Sequence, residues 1–397
     1  MYYLAPLLTI IPSVQIVSYF FYAWVFFVLM SPASIILFRS KVESYRFKVW
    51  LICSAPFLIL IVILTLSHIK GIVFSVSGFS INDFSEYIKF SFFFIVTSVV
   101  IFSKISDPFH LLEKIITFIG VFYAIIFIIY IILGFIDPVS LIDLGLSKGF
   151  RFGGLSTNPN AYSAIAALIL ACNFALYRLR GSFFLLLIIM IIGVSIIWSQ
   201  SRTGLVFSIV ALFLILVFQG KIFNFKNITF IFFALAVTAI TFIYSDLNYV
   251  TSEKAYNLEE NNSFLVRVEN SKEDLDKFGE YVGFFGIGPA KEKFDDLDMI
   301  GYVIYYIRYG FSGLFIFIFV HFWLVYYPIR VFRRSACLPR ADPVGKTFIS
   351  CLVAASSISF LSSLTNDKWI DPKFLSLWFF IVGVALYYFT CRQSSRI

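Results

Sequence analysis

Charge is scarce in this chain. Of its 397 residues only 14% are Asp, Glu, Lys or Arg, against 60% hydrophobic and 20% aromatic. Soluble domains carry roughly a quarter charged residues, so a water-surrounded globule is excluded. Histidine is scarcer still, at three residues, and none has a spaced partner. His68 ends an apolar run, His110 lies in a basic connector, and His321 is read as a neutral packing residue among aromatics. There is no GxxxxGK[ST], no HExxH and no Ser/His/Asp set on one face of the membrane, which disfavours ATP hydrolysis and metalloprotease chemistry. The five cysteines (Cys53, Cys172, Cys337, Cys351 and Cys391) form no CxxC and fall in apolar runs or connectors. Disulfides and a zinc site are therefore not expected. The first residues lack a basic n-region and a small-residue cleavage site, so they are expected to be a membrane segment, not a signal peptide.

Long apolar runs are what the chain does have, and the mean hydropathy is +0.91. Uncharged stretches of roughly 18–20 residues can cross about 30 Å of hydrocarbon. Residues 2–38 carry no charge and read as one long span or a hairpin of two. Further spans are expected at 48–67, 88–103, 113–136, 160–178, 183–199, 203–219, 227–245, 310–331, 346–364 and 374–391. That predicts an all-α polytopic membrane protein with about eleven or twelve helices. With no fixed-period repeat, no low-complexity segment and no composition shift, residues 1–397 read as a single membrane domain.

Lys and Arg set the sidedness. Alternate connectors hold Arg39, Lys41, Arg46 and Lys48, then Lys104 and Lys114, Arg178 and Arg180, Lys221 and Lys226, Arg330 to Lys346, and Arg392 and Arg396. Placed in the cytoplasm, they put the loops 137–159 and 246–300 on the outer side. The net charge of +8 is thus a topology signal and gives no ground for nucleic-acid binding. The 246–300 loop is the one long polar stretch. Within it Asn262 or Ser263 can cap an amphipathic helix over about 263–278, with Phe264, Val268, Leu275 and Phe278 as its apolar stripe. Gly286 and Gly288 then break the chain, and Asp295, Asp296 and Asp298 lead into the next span.

Four arginines lie at or near the outer face: Arg151 before Asn158-Pro159-Asn160, Arg202 in Ser-Arg-Thr-Gly, Arg267 in the loop helix, and Arg308 in an aromatic stretch. Singly, each is read first as an interfacial anchor. Together they suit a diphosphate, because a guanidinium stays charged and its planar fork matches phosphate oxygens. The acidic run reads as a solvated loop, as carboxylate ligands for a divalent cation, or as the source of a general base.

The order of these motifs resembles a known family. R-F-G-G-L-S-T-N-P-N-A opens one span and S-R-T-G another. A long outer loop then carries F-L-V-R-V-E-N and G-I-G-P, and G-Y-V-I-Y-Y-I-R-Y-G-F-S-G-L leads into the next span. Over roughly residues 113–331 this is similar to the O-antigen ligase/polymerase superfamily, most closely the Wzy-type polymerases. The resemblance implies a GT-C-like helical fold in the cytoplasmic membrane of a bacterium, with its site open to the periplasm. It implies transfer of a glycan from an undecaprenyl-diphosphate carrier to an acceptor sugar, without metal or other cofactor. A flippase and a chain-length regulator are the implied partners, beside membrane lipids.

By position, Arg151 and Arg267 match the family's loop arginines, and Arg202 its span-start arginine. Arg308 is a further diphosphate candidate, with Asn158, Asn160, Gly286, Gly288 and Tyr302 in the substrate loops. The ligase branch carries a His-Asn pair where this chain has Met299-Ile300-Gly301-Tyr302 after Asp298. That departure favours polymerase over ligase and leaves Asp298, then Asp296, as candidate bases. A transporter is the contrasting expectation. It should show internal repeats and charged residues inside spans, and neither is evident in the sequence.

Overall fold

The computed structural model describes residues 8–10, 41–74, 83–136, 146–148, 151–156, 158–219, 263–289, 300–334, 342–365 and 371–394. Ten α-helices lie among them: α1 (Lys41–Val73), α2 (Phe84–Ile101), α3 (Pro108–Ile136), α4 (Pro159–Arg180), α5 (Phe183–Trp198), α6 (Arg202–Gln219), α7 (Ser263–Val282), α8 (Gly301–Arg334), α9 (Pro343–Thr365) and α10 (Pro372–Ser394). Six contain stretches long and apolar enough to cross a membrane, within α1, α3, α4, α8, α9 and α10; α5 and α6 are shorter apolar helices. The chain is an all-α, multi-pass membrane protein. The expected count of eleven or twelve rests partly on residues 2–38 and 227–245; the latter, and all of the former but 8–10, lie outside the described residues.

Burial separates centre from periphery. The apolar window of α10 is 94% buried and that of α4 83%, whereas those of α1 and α3 are 44% buried and that of α8 39%. The outer helices keep apolar faces for lipid. Along α8, Phe311, Phe315, Phe319, Phe322 and Tyr326 recur at helical spacing and all stay exposed. Inside the bundle, where lipid gives helices no hydrophobic reason to associate, small residues allow close approach. Ala164, Ala166, Ala167, Ala171 and Ala175 of α4 are all fully buried. A Cβ on Gly204 of α6 would lie 2.3 Å from the Cβ of Ser163 in α4.

Contacts between helix ends agree with the alternation of the basic connectors. At one end, Arg46 donates to Cys391 Sγ at 2.8 Å and lies 4.5 Å from the Tyr387 ring. At that same end Tyr388 donates to Asp342 at 3.0 Å, and Arg180 pairs with Glu113 at 2.8 Å. At the other end, Lys70 of α1 meets α7, and Lys373 of α10 donates to the Leu155 carbonyl at 2.8 Å.

Two details of the 137–159 and 246–300 loops add to expectation or amend it. The 137–159 loop holds a two-residue antiparallel ladder, β1 (Ser147–Lys148) with β2 (Arg151–Phe152), that pairs Lys148 with Arg151. The loop helix α7 forms, and Leu275 and Phe278 of the expected stripe lie on its packed face, but Val268 does not. Val268 is 37% exposed, while Ser271, Phe278 and Val282 are buried with Leu275 beside them. The residues that meet α8 recur from Ser271 onward. Val268 stands off that face, and nothing is described for the Phe264 side chain.

Candidate functional site

The site is built where a spanning helix fails. Gly310 takes φ 69 and ψ −167, so α8 is interrupted one residue after Tyr309. Such a break removes the ordinary bonds from the N–H groups of Phe311 and Ser312 to the carbonyls of Ile307 and Arg308. Orphaned backbone groups cannot persist in hydrocarbon. Here the segment that follows α7 replaces all four partners. Ile287 N donates to Ile307 O at 3.1 Å and Gly288 N to Arg308 O at 2.9 Å. Phe311 N donates to Gly283 O at 3.4 Å and Ser312 N to Phe284 O at 3.1 Å. The backbones run so close that a Cβ on Gly286 would lie 2.4 Å from the Arg308 carbonyl, and one on Gly310 2.3 Å from Phe284 O. Gly286 itself has φ 75, a conformation that favours glycine. Across Gly288, the segment touches the α1 backbone at His68.

α1 fastens the same segment from below. Lys70 Nζ donates to the carbonyls of Tyr281 and Val282 at 2.6 and 2.8 Å, a cation set at the C-terminus of α7 where the helix dipole favours it. Ser67 Oγ donates to Phe285 O.

Beneath the break lies a buried group of charges. Arg308 and Glu86 are each 1% exposed, with Nη1 3.8 Å from Oε1. Lys89 Nζ lies 2.5 Å from the same oxygen, and Tyr309 donates to Oε2 at 2.7 Å. Beside them His68 Nε2 is 3.6 Å from Asp83, itself 1% exposed, and Nδ1 is 3.5 Å from Tyr87 OH. Among the described residues, Lys89 and Arg308 thus meet Glu86 in this group, with Asp83 beside His68. Burying such charges costs more than an apolar packing would, so their presence beside a broken helix makes this the candidate functional site.

The candidates from the sequence fall into two assemblies. Arg308, Gly286 and Gly288 meet at the break. Arg267 belongs to the same side: helical spacing places it one turn before Ser271, whose Oγ accepts from Ile300 N at 3.1 Å, and its Nε is shielded from solvent. Tyr302 opens α8 and donates to Phe360 O at 2.9 Å.

Arg151, Asn158 and Asn160 form the second assembly. Asn158 caps α4 by accepting from Asn160 N and Ala161 N. Arg151 donates from Nε to Ser199 O at 3.1 Å, and from Nη2 to Asn160 Oδ1 at 3.2 Å and Gln200 O at 3.3 Å. It thereby holds the α5–α6 turn, where Gln200 sits at φ 49. Arg202 is the first residue of α6, and its side chain lies outside the described residues. Asp296 and Asp298 also lie outside them. On α7, the Asp274 carboxyl is raised above its ordinary range by partial burial, which Lys277 opposes and Glu273 reinforces.

Several participants escaped the sequence. Glu86 stands just before, and Lys89 just inside, the span expected at 88–103, and nothing in the sequence singles either out; α2 starts at Phe84 and holds both. His68 was set aside as a span end and is instead 6% exposed within the cluster. Of these residues Arg308 lies within a span-length apolar helix, while Glu86 and Lys89 lie in α2, which is not one of the six. The one local signal is the i,i+3 spacing of Glu86 and Lys89, which sets them on one helical face. His321 has the environment expected of it. Its Nδ1 lies 2.9 Å from Phe317 O, Nε2 3.0 Å from Ser359 Oγ, and its ring stacks on Trp378 at 5.5 Å. A carbonyl only accepts, so Nδ1 carries the proton and the ring needs no charge. Among the described residues no three His, Cys, Asp or Glu side chains converge to hold a metal.

Comparison with known proteins adds no assignment: no protein-family model and no curated protein matches the chain.

Proposed function

We propose that the chain joins lipid-linked oligosaccharides at the outer face of a bacterial cytoplasmic membrane, as a Wzy-type polymerase of O-antigen or other surface polysaccharide with a GT-C-like fold. The observation that carries this reading is the buried Arg308 cluster at the α8 break, with Arg267 on the adjoining face of α7. Both lie at the bundle end opposite the basic connectors, where a polyprenyl diphosphate presents its phosphates.

In this reading Arg267 receives the diphosphate beside Arg308, and Arg151 contributes from the second assembly at the same end of the bundle. A hydroxyl of the acceptor unit attacks C1 of the donor glycan from the face opposite the diphosphate. The C1–O bond to the diphosphate breaks as the new C1–O bond forms, with inversion. The hydroxyl proton passes to a carboxylate, Asp298 or Asp296, and undecaprenyl diphosphate leaves. Neutralising the leaving group contributes roughly 3–4 kcal/mol for each well-placed donor. The lipid tails enter between helices, and repeat units arrive through a flippase and leave under a chain-length regulator.

A transporter of the same lipid-linked unit is the second reading. The charges buried inside α2 and α8 beside a discontinuous helix favour it, since such sites hold substrates at membrane depth. Deleting the gene in its host and complementing it with wild type or Arg267→Ala separates the two on a gel of surface glycan. A polymerase deletion loses the ladder and keeps single capping units, and Arg267→Ala fails to restore the ladder. Loss of all surface units identifies the transporter, and polymer left on its lipid carrier identifies a ligase.

A further inference from the structure

At the bundle end that bears the basic connectors, α3 and the α4–α5 turn enclose an open groove of about 700 Å³. Gly181, at φ 67, closes α4 with its N–H on Tyr177 O at 2.7 Å, and only Gly181 and Ser182 separate α4 from α5. This sharp turn sets Arg180 and Phe184 on one rim, opposite Lys114 and Phe118 of α3.

The lining is divided by chemistry. At the polar mouth, Arg180 grips Glu113 through two bonds of 2.8 Å, and its guanidinium lies 5.3 Å from the Phe109 ring. Arg180 is half exposed, so its outer edge still faces the groove. With Glu113 answered by Arg180, the adjacent Lys114 supplies an uncompensated cation: it is exposed and makes no ion pair among the described residues. His110, 3.8 Å from Glu113 and 68% exposed, completes the mouth. Phe118 and Phe184 form the apolar wall, 50% and 53% exposed. A cationic mouth above an aromatic wall, at the end of spanning helices, matches a ligand that is a phosphate at one end and hydrocarbon at the other.

We infer that this groove is a binding site for an anionic phospholipid, with the headgroup phosphate on Lys114 and the outer edge of Arg180 and an acyl chain against Phe118 and Phe184. It lies at the opposite end of the bundle from the α8 break and stands whether or not the chain transfers glycans. A free phosphate would use the mouth and leave the wall without purpose.

Native mass spectrometry of the purified full-length protein tests this, with phosphatidylglycerol, phosphatidylcholine and inorganic phosphate as probes. Wild type is expected to retain phosphatidylglycerol in preference to phosphatidylcholine. Each unit of charge near a headgroup contributes about fivefold in affinity. Lys114→Glu should therefore weaken retention roughly 25-fold, Lys114→Gln about fivefold, and Lys114→Arg should retain it, with all three eluting as wild type does. If Lys114→Glu does not fold, the Gln and Arg pair reads the same difference. Unchanged retention in Lys114→Gln, equal retention of phosphatidylcholine, or displacement of the lipid by millimolar phosphate would each overturn the assignment.

Discussion

Arg308 is 1% exposed against a carboxylate, whereas Arg151, half-buried, spreads its N–H groups over two backbone carbonyls and one side-chain amide. Both lie at the bundle end opposite the basic connectors, beside backbone irregularities, Gly310 in one case and Gln200 in the other. At Arg151 the irregularity is a turn in a hairpin, and the guanidinium neutralises the carbonyls that end α5. At Arg308 it interrupts a spanning helix, and the backbone is repaired by the glycine-rich segment after α7 while the side chain joins an ion cluster. One guanidinium finishes a helix. The other places charge where lipid alone would forbid it.

Substitutions can sharpen that contrast. The largest effect is expected for Glu86→Ala, which removes the carboxylate shared by Arg308, Lys89 and Tyr309 and leaves two buried cations. It should cost about 3–5 kcal/mol, read as a fall in the thermal midpoint in detergent, and adding Arg308→Met should recover part of the loss. Gly286→Ala comes next, at about 1–3 kcal/mol, because alanine must hold a positive φ against the Arg308 carbonyl. Limited proteolysis after α7 should detect the released segment. Arg151→Ala should cost about 1 kcal/mol and raise amide exchange at Ser199 and Gln200 while leaving the α8 break protected. Lys70→Met is the mildest, at about 0.3–1 kcal/mol from the lost charge at the end of α7. Equal losses from Glu86→Ala and Arg151→Ala would erase the distinction between the two assemblies.

Much of this architecture is legible in the chain. Apolar run length marks the spans, and the basic connectors predict which helix ends meet, as Arg46 with Tyr387 exemplifies. Gly310 itself is visible as the start of the expected 310–331 span, because the charge at Arg308 ends the uncharged run there. What the sequence hides is pairing at a distance. Glu86 and Tyr309 are 223 positions apart, and Glu86 alone looks like a loop residue at a span edge. Likewise Val268 satisfies a helical apolar rhythm, but α8 covers α7 only from Ser271 onward. Hydropathy reports how costly a residue is in lipid and says nothing of the partner that offsets the cost.

In the proposed function, the α7–α8 side of the bundle end opposite the basic connectors receives a polyprenyl diphosphate. The most direct test is equilibrium binding of undecaprenyl diphosphate to the purified protein, with undecaprenol as the uncharged control. Wild type should bind the diphosphate at least tenfold tighter than the alcohol, and Arg267→Ala should lose most of that difference while melting at the wild-type temperature. Equal affinity for the two lipids in wild type, or an undiminished preference in Arg267→Ala, would contradict the account.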